Sequence, residues 1–245
     1  MNRDQVEQYL ERIGLKGPLD PTADVLCRLQ VAHLKAVPYE NMDILLHREM
    51  PLDEASLFEK IVTRRRGGYC FELNGLFGML LRALGYGVTD CFARFLQGES
   101  TIPMRRHRVL IVRTVSGERY IADVGVGVSI PREPLRLEEG VQGQYEIRKH
   151  PFFGWTLYDR DRVLYAFTEE PQLTIDFEAA HLWCQVSPAS PFTAAPMIAI
   201  RTDRGRITMD GDILRFHEPE GVAEAACPEG PEQTEALRRY FGIVV

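Results

Sequence analysis

The chain has 245 residues, 45% of them hydrophobic and 26% charged, with a formal net charge of −6. That content supports one or two globular units with a sizeable core and lacks the signature of disorder. The acidic balance argues against a nucleic acid partner, no apolar run approaches the ~20 residues of a membrane span, and the charged opening MNRDQVEQYLERIG does not read as a signal peptide.

The first third reads as helical. Val6, Tyr9, Leu10 and Ile13 follow helical spacing, with Gly14 as a stop. Asp20 and Pro21 suggest an N-cap followed by proline at the first helical position, leading into the stripe Val25, Leu26, Leu29, Ala32. Asp53 can cap a third helix carrying Leu57, Phe58, Ile61 and Val62. A fourth runs from about Cys70 to Leu84, with Gly85 as the residue just past its end.

The period then changes. Residues 108–114 and 119–124 are rich in β-branched side chains, with Ser116 and Gly117 as a turn signal between them. Residues 145–147, 155–158 and 163–167 predict further short strands, together an antiparallel sheet or small barrel. A helical stretch over 175–186 precedes the turn-rich Ser187-Pro188-Ala189-Ser190-Pro191, a candidate boundary. Strands are expected at 197–201, 207–209 and 213–216, and a closing helix at 231–240. Basic clusters at Arg64-Arg65-Arg66 and at Arg105, Arg106 and Arg108 read first as solvated faces, with phosphate binding as the alternative.

Five cysteines, Cys27, Cys70, Cys91, Cys184 and Cys227, are odd in number, widely spaced and without a CxxC pair. This points away from a disulfide framework or thiolate zinc site and toward a reducing, cytoplasmic setting. Cys70 stands apart, following Arg66-Gly67-Gly68-Tyr69. Two glycines permit a tight or left-handed turn just before a helix, placing Cys70 at the helix start. Unpaired N–H groups there stabilise a thiolate, lowering its pKa from about 8.5, and can donate to an oxyanion. The bland alternative is a small buried residue. Cys27, Cys91 and Cys184 read as core, and Cys227 as a loop residue open to solvent.

A cysteine nucleophile needs an imidazole base, and the imidazole an orienting acceptor. Among His33, His47, His107, His150, His181 and His217, only His107 heads a strand whose partner ends in a carboxylate, Asp123. A hairpin centred near Val115 sets the two opposite each other; a two-residue loop at Ser116-Gly117 puts them on opposite faces. A functional pair therefore predicts a longer loop or a bulge. His181 and Cys184 are too few for a metal site, and no metal is expected. Gly125-Val126-Gly127-Val128-Ser129-Ile130 begins like a dinucleotide fingerprint but lacks its third glycine and its βαβ unit; it reads as a turn that lets a ligand approach the backbone.

At these residues the chain resembles the arylamine N-acetyltransferase family. Residues Arg66 to Gly75 match its nucleophile motif, and Val37-Pro38-Tyr39-Glu40-Asn41 its upstream segment. His107 with its strand, then Ile121-Ala122-Asp123-Val124-Gly125, match the stretch holding the other triad members; Ser190-Pro191-Phe192 and Gly205-Arg206-Ile207-Thr208 resemble later landmarks. The resemblance implies an α+β fold: a helical bundle over 1–85 carrying the nucleophile, a β-barrel over 86–190 carrying His107 and Asp123, and a shortened α/β lid over 191–245. It implies a triad of Cys70, His107 and Asp123, acetyl-coenzyme A as co-substrate, and arylamines, arylhydrazines or N-hydroxyarylamines as acceptors. It also implies a structural ion pair between Glu40 and Arg66, with Gly125, Val126, Gly127 and Phe192 flanking the pantetheine arm and acceptor. Val126 stands where the family usually has an aromatic residue. The same triad logic serves a thiol hydrolase of the transglutaminase or papain type and a macrolactam-forming amide synthase; a non-catalytic binding module is the third alternative. The oligomeric state is left open.

Overall fold

The computed structural model describes residues 1–127 and 130–244; Val128 and Ser129 of the glycine turn, and Val245, lie outside the described residues. Helix α1 (Arg3–Arg12) opens on a reciprocal cap between Asn2 and Gln5. Helix α2 (Ala23–Ala36) is capped by Thr22, whose hydroxyl accepts from the Val25 N–H, not by Asp20. A one-turn helix α3 (Met42–Leu45) follows; its four residues carry no readable period. Helix α4 (Glu54–Phe58) is capped by Asp53 as expected and continues as a π-helical turn over Glu59–Thr63. Helix α5 (Cys70–Ala83) is buried along most of its length and ends before Gly85, which has a φ of 91°.

Eight antiparallel strands form a nearly closed, barrel-like sheet: β1 (Gly87–Phe95), β2 (His107–Arg113), β3 (Arg119–Ala122), β4 (Leu135–Arg136), β5 (Gly140–Gln142), β6 (Tyr145–His150), β7 (Gly154–Asp159) and β8 (Arg162–Phe167). Their spatial order is β4-β3-β2-β1-β8-β7-β6-β5. The end strands β4 and β5 are linked through one side chain: Gln142 accepts from the Arg136 N–H at 2.8 Å and donates to its carbonyl at 2.9 Å. β1 was not anticipated, because charged and apolar residues mix along it; Asp90 and Cys91 are both buried there. β4 and β5 are too short to read from sequence.

A 3₁₀ turn (Thr174–Phe177) leads into α6 (Glu178–Val186). A second sheet then orders β9 (Met197–Arg201), β10 (Arg206–Asp210), β11 (Ile213–Glu218) and β12 (Gly221–Ala226) as a meander. Strand β12, all exposed, lacks the apolar alternation that marks its neighbours. Helix α7 (Pro231–Phe241) packs Leu237 and Phe241 against Ile198, Met209 and Leu214, a core separate from the larger one around α5 and the barrel.

Candidate active site

The segment before α3 ties three parts together. Tyr39 exchanges backbone hydrogen bonds with Ala199 of β9 at 2.8 and 3.0 Å, and the Glu40 N–H donates to the Gly68 carbonyl at 2.8 Å. Asn41 donates to the carbonyls of Phe192 and Ala195 and accepts from the Met197 N–H, pinning the chain that leads into β9. Beneath this lies a buried charge network. Arg66 holds Glu40 in a two-pronged pair at 2.9 and 3.0 Å and reaches Asp43 at 3.0 Å. Lys60 pairs with Asp43 and Glu72, and Glu72 accepts from the Tyr69 N–H just ahead of α5.

The basic runs are therefore not solvated faces throughout: Arg66 is buried here, and Arg108 is buried against Asp90. The glycine pair also works differently from the expectation. Neither Gly67 nor Gly68 is left-handed; the left-handed residue is Arg65, with a φ of 55°. The glycines serve close approach instead. A Cβ on Gly67 would sit 1.9 Å from the Pro38 carbonyl oxygen, and one on Gly68 2.7 Å from a Glu72 carboxylate oxygen.

Cys70 is the first residue of α5 and is 3% exposed. Its Sγ donates to the Arg106 carbonyl at 3.7 Å, on the residue preceding His107. Burial pushes the thiol pKa well up, with nearby Cys184 and Asp123 adding to the rise, while the backbone N–H groups of Arg108 and Phe71 pull it down. The helix start alone thus fails to ionise this sulfur, contrary to the sequence expectation. Desolvation of a thiolate outweighs the terminal amides.

His107, 3% exposed, holds its Nε2 2.7 Å from Oδ2 of Asp123. Oδ1 of Asp123 accepts from Asn74 Nδ2 and from the Gly125 N–H, both at 2.8 Å. The carboxylate is thereby satisfied and fixed in the apolar interior. Asn74, one turn beyond Cys70 on α5, also donates to the Arg108 carbonyl at 2.6 Å and accepts from the Val124 N–H at 2.8 Å. Sequence reading missed it, although an asparagine in the middle of an apolar helix is a signal, since its amide demands partners. Gln30 of α2, also missed, accepts from the Asp123 N–H at 3.2 Å. The Tyr165 ring lies 5.3 Å from the His107 ring.

Cys70, His107, Gly125, Val126, Gly127 and Phe192 all line one cavity of about 600 Å³. Its far wall is β9 to β11. Gly125 and Gly127 serve close approach: a Cβ on Gly125 would lie 2.6 Å from the Cys70 Cα, and one on Gly127 2.7 Å from the Ala199 Cβ. Glu40 and Arg66 form their pair outside the cavity lining. The remaining cysteines split: Cys91 and Cys184 are buried as expected, Cys27 is only half-buried, and Cys227 is buried at 4% exposure, not open. Cys227 is covered because its N–H bonds back to Asp212 and it joins the core of α7. His181 is occupied by the Tyr69 hydroxyl and the Met50 carbonyl. Among the described residues no cluster of histidine, cysteine and carboxylate is arranged to hold a metal ion, and no helix is long and apolar enough to cross a membrane.

A family profile described as N-acetyltransferase matches residues 22–245. The arylamine N-acetyltransferase of Mycobacterium tuberculosis is 36% identical over 97% of this chain and 88% of its own length. The arylamine N-acetyltransferase / N-hydroxyarylamine O-acetyltransferase of Salmonella typhimurium is 35% identical over the same shares. The Mycobacterium marinum arylamine N-acetyltransferase, solved in complex with coenzyme A, superposes with a TM-score of 0.90 at 32% identity, covering 97% of this chain and 92% of that one.

Proposed function

The chain belongs to the arylamine N-acetyltransferase family and is an acyltransferase; from that premise we propose that it moves an acetyl group from acetyl-coenzyme A to an arylamine, arylhydrazine or N-hydroxyarylamine through an acetyl-Cys70 intermediate. The observation that carries this is the 2.7 Å contact between His107 Nε2 and Asp123, with Cys70 on the same cavity wall.

A carboxylate only accepts, so Nε2 carries the hydrogen and Nδ1 keeps the lone pair. Nδ1 takes the Sγ proton, giving a thiolate beside an imidazolium held by Asp123. The thiolate attacks the acetyl carbonyl carbon while the Phe71 N–H and its neighbours at the helix start face the developing oxyanion. The carbon–sulfur bond to coenzyme A breaks, and its sulfur leaves with the imidazolium proton. A neutral amine then attacks acetyl-Cys70, His107 accepts the proton from nitrogen, and the Cys70 sulfur departs as the amide forms. On this reading residues 1–85 supply the nucleophile, 86–190 the base and its carboxylate, and 191–245 close the cavity, in a cytoplasmic enzyme that needs no metal.

Intact-mass and peptide mass spectrometry after exposure to acetyl-coenzyme A, without acceptor, tests this. One acetyl group on the Cys70 peptide, discharged by an added arylamine, is expected. An unmodified Cys70, or label on another cysteine, overturns it.

A further inference from the structure

The second sheet has two contrasting faces. Pairing of Arg206 with His217 and of Thr208 with Arg215 across β10 and β11 sets these four side chains on one face. All four line the cavity that holds Cys70. The opposite face carries Met209 and Leu214 against α7. In a chain of net charge −6, the cavity lining from this sheet sets Arg206, Arg215 and His217 beside a single carboxylate, Asp210.

The cations on it are not equivalent. Arg215 is paired with Glu224 at 2.6 Å. Arg206 has no carboxylate partner among the described residues, and its Nε is buried without a hydrogen-bond acceptor. Among the described residues its one polar contact is a terminal nitrogen 3.3 Å from Nδ1 of His217, and Nε2 of His217 is 3.1 Å from the Thr208 hydroxyl. Burial and the nearby Arg206 and Arg132 push the Arg201 guanidinium below its ordinary value, so the cations crowd one another. A guanidinium with a desolvated, unanswered N–H costs free energy until an anionic oxygen reaches it.

Resting on the acetyl-transfer reading above, we propose that Arg206, backed by His217 and Arg215, is the anion-binding residue of this cavity and takes a phosphate of the thioester donor. A multiply charged donor offers what a planar guanidinium fork matches best, whereas the reacting amine is neutral. The face acts on donor binding and leaves the chemistry to the opposite wall.

Two donors, acetyl-coenzyme A and the phosphate-free S-acetylpantetheine, separate the outcomes. In Arg206→Gln the KM for acetyl-coenzyme A rises about tenfold or more, since charge-assisted pairs are worth roughly that much. The KM for S-acetylpantetheine and kcat with both donors stay within twofold. Arg206→Lys recovers most of the loss. In the wild type, adenosine 3′,5′-bisphosphate competes with acetyl-coenzyme A, and the competition weakens in Arg206→Gln; the wild-type arm holds whether or not a variant folds. Equal losses with both donors, no loss with either, no competition in the wild type, or a KM rise confined to carboxylate-bearing arylamines each overturn the proposal. Wild type that leaves Cys70 unacetylated by acetyl-coenzyme A sinks the acetyl-transfer reading instead.

Discussion

His107 and Asp123 stand diagonal to one another, not opposite. The pairing of Leu110 with Ala122, carried three residues on, brings His107 level with Gly125, two beyond Asp123. An offset of two keeps both side chains on one face, and the imidazole leans back to meet the carboxylate at 2.7 Å. The loop that sets this register spans residues 115–117: the Thr114 N–H bonds to the Glu118 carbonyl, and Gly117 takes a φ of 88°.

Burial drives the Cys70 thiol up, so on the proposed mechanism its ionisation depends on His107. A thiol pushed up is protonated at neutral pH and loses its proton only as pH climbs past its raised value; pairing with imidazolium reverses this. In the wild type, iodoacetamide alkylation of Cys70 persists at pH 6 to 7. In His107→Gln the rate at pH 7 falls on the order of 100-fold and its midpoint moves above the ordinary ~8.5 of a free thiol. Equal rates in both proteins would refute the coupling.

Asn74→Ala removes donors from Asp123 and Arg108 and an acceptor from Val124. Each buried group left unanswered costs about 1–3 kcal/mol. The variant unfolds at lower urea, and kcat/KM falls about 100-fold because the carboxylate that orients His107 is no longer fixed. Stability and steady-state assays side by side give the two numbers.

Gly125→Ala tests close approach. Its new methyl meets the Cys70 Cα and the Asn74 amide, both at 2.6 Å, so the turn must retreat from Cys70. We expect kcat/KM to drop about 100-fold or more, as a 1 Å displacement at reacting atoms does. Gly117→Ala, in open space but at positive φ, loses only about 1 kcal/mol of stability and keeps its activity.

Two buried imidazoles make the fold acid-sensitive. Burial lowers His33 to about 3 and His181 to about 4. Both are neutral in the folded state, while the unfolded chain takes up protons near 6.5. Stability is therefore full above pH 6.5 and falls toward pH 4, each histidine withdrawing about 1.4 kcal/mol per unit. Urea midpoints at pH 7.5, 6 and 5 should decline in that order. His181→Gln should flatten the slope, and a flat wild-type profile would contradict it.

Much of the proposed site is legible in the sequence because glycines, a cysteine and a helix start leave local signals. Residues 66–75 mark the turn and Cys70; the 108–114 and 119–124 runs mark the hairpin; Asp123 shows as a carboxylate among apolar neighbours. What stays hidden is set by tertiary contact. Nothing local says that Arg66 and Arg108 are buried against Glu40 and Asp90, or that burial outweighs the helix terminus at Cys70. Strand β1 hides because its Asp90 is answered by an arginine 18 residues on, which no periodicity records. Asn41 and Gln30 gain their meaning only from partners about 90 to 150 residues away.

The strand order of the larger sheet also bears on how the molecule comes together. It is two four-strand meanders, each built from neighbours in the chain, joined along one seam where β1 meets β8. Residues facing each other there, such as Phe95 and Tyr165, are separated by about 70 positions, so that zipper carries the largest loop-closure entropy in the barrel. Ala93 pairs with Phe167 on one side and with His107 on the other. Closing that seam also sets the Tyr165 ring beside the imidazole of His107, so the surroundings of that ring are completed only across the longest loop of the barrel.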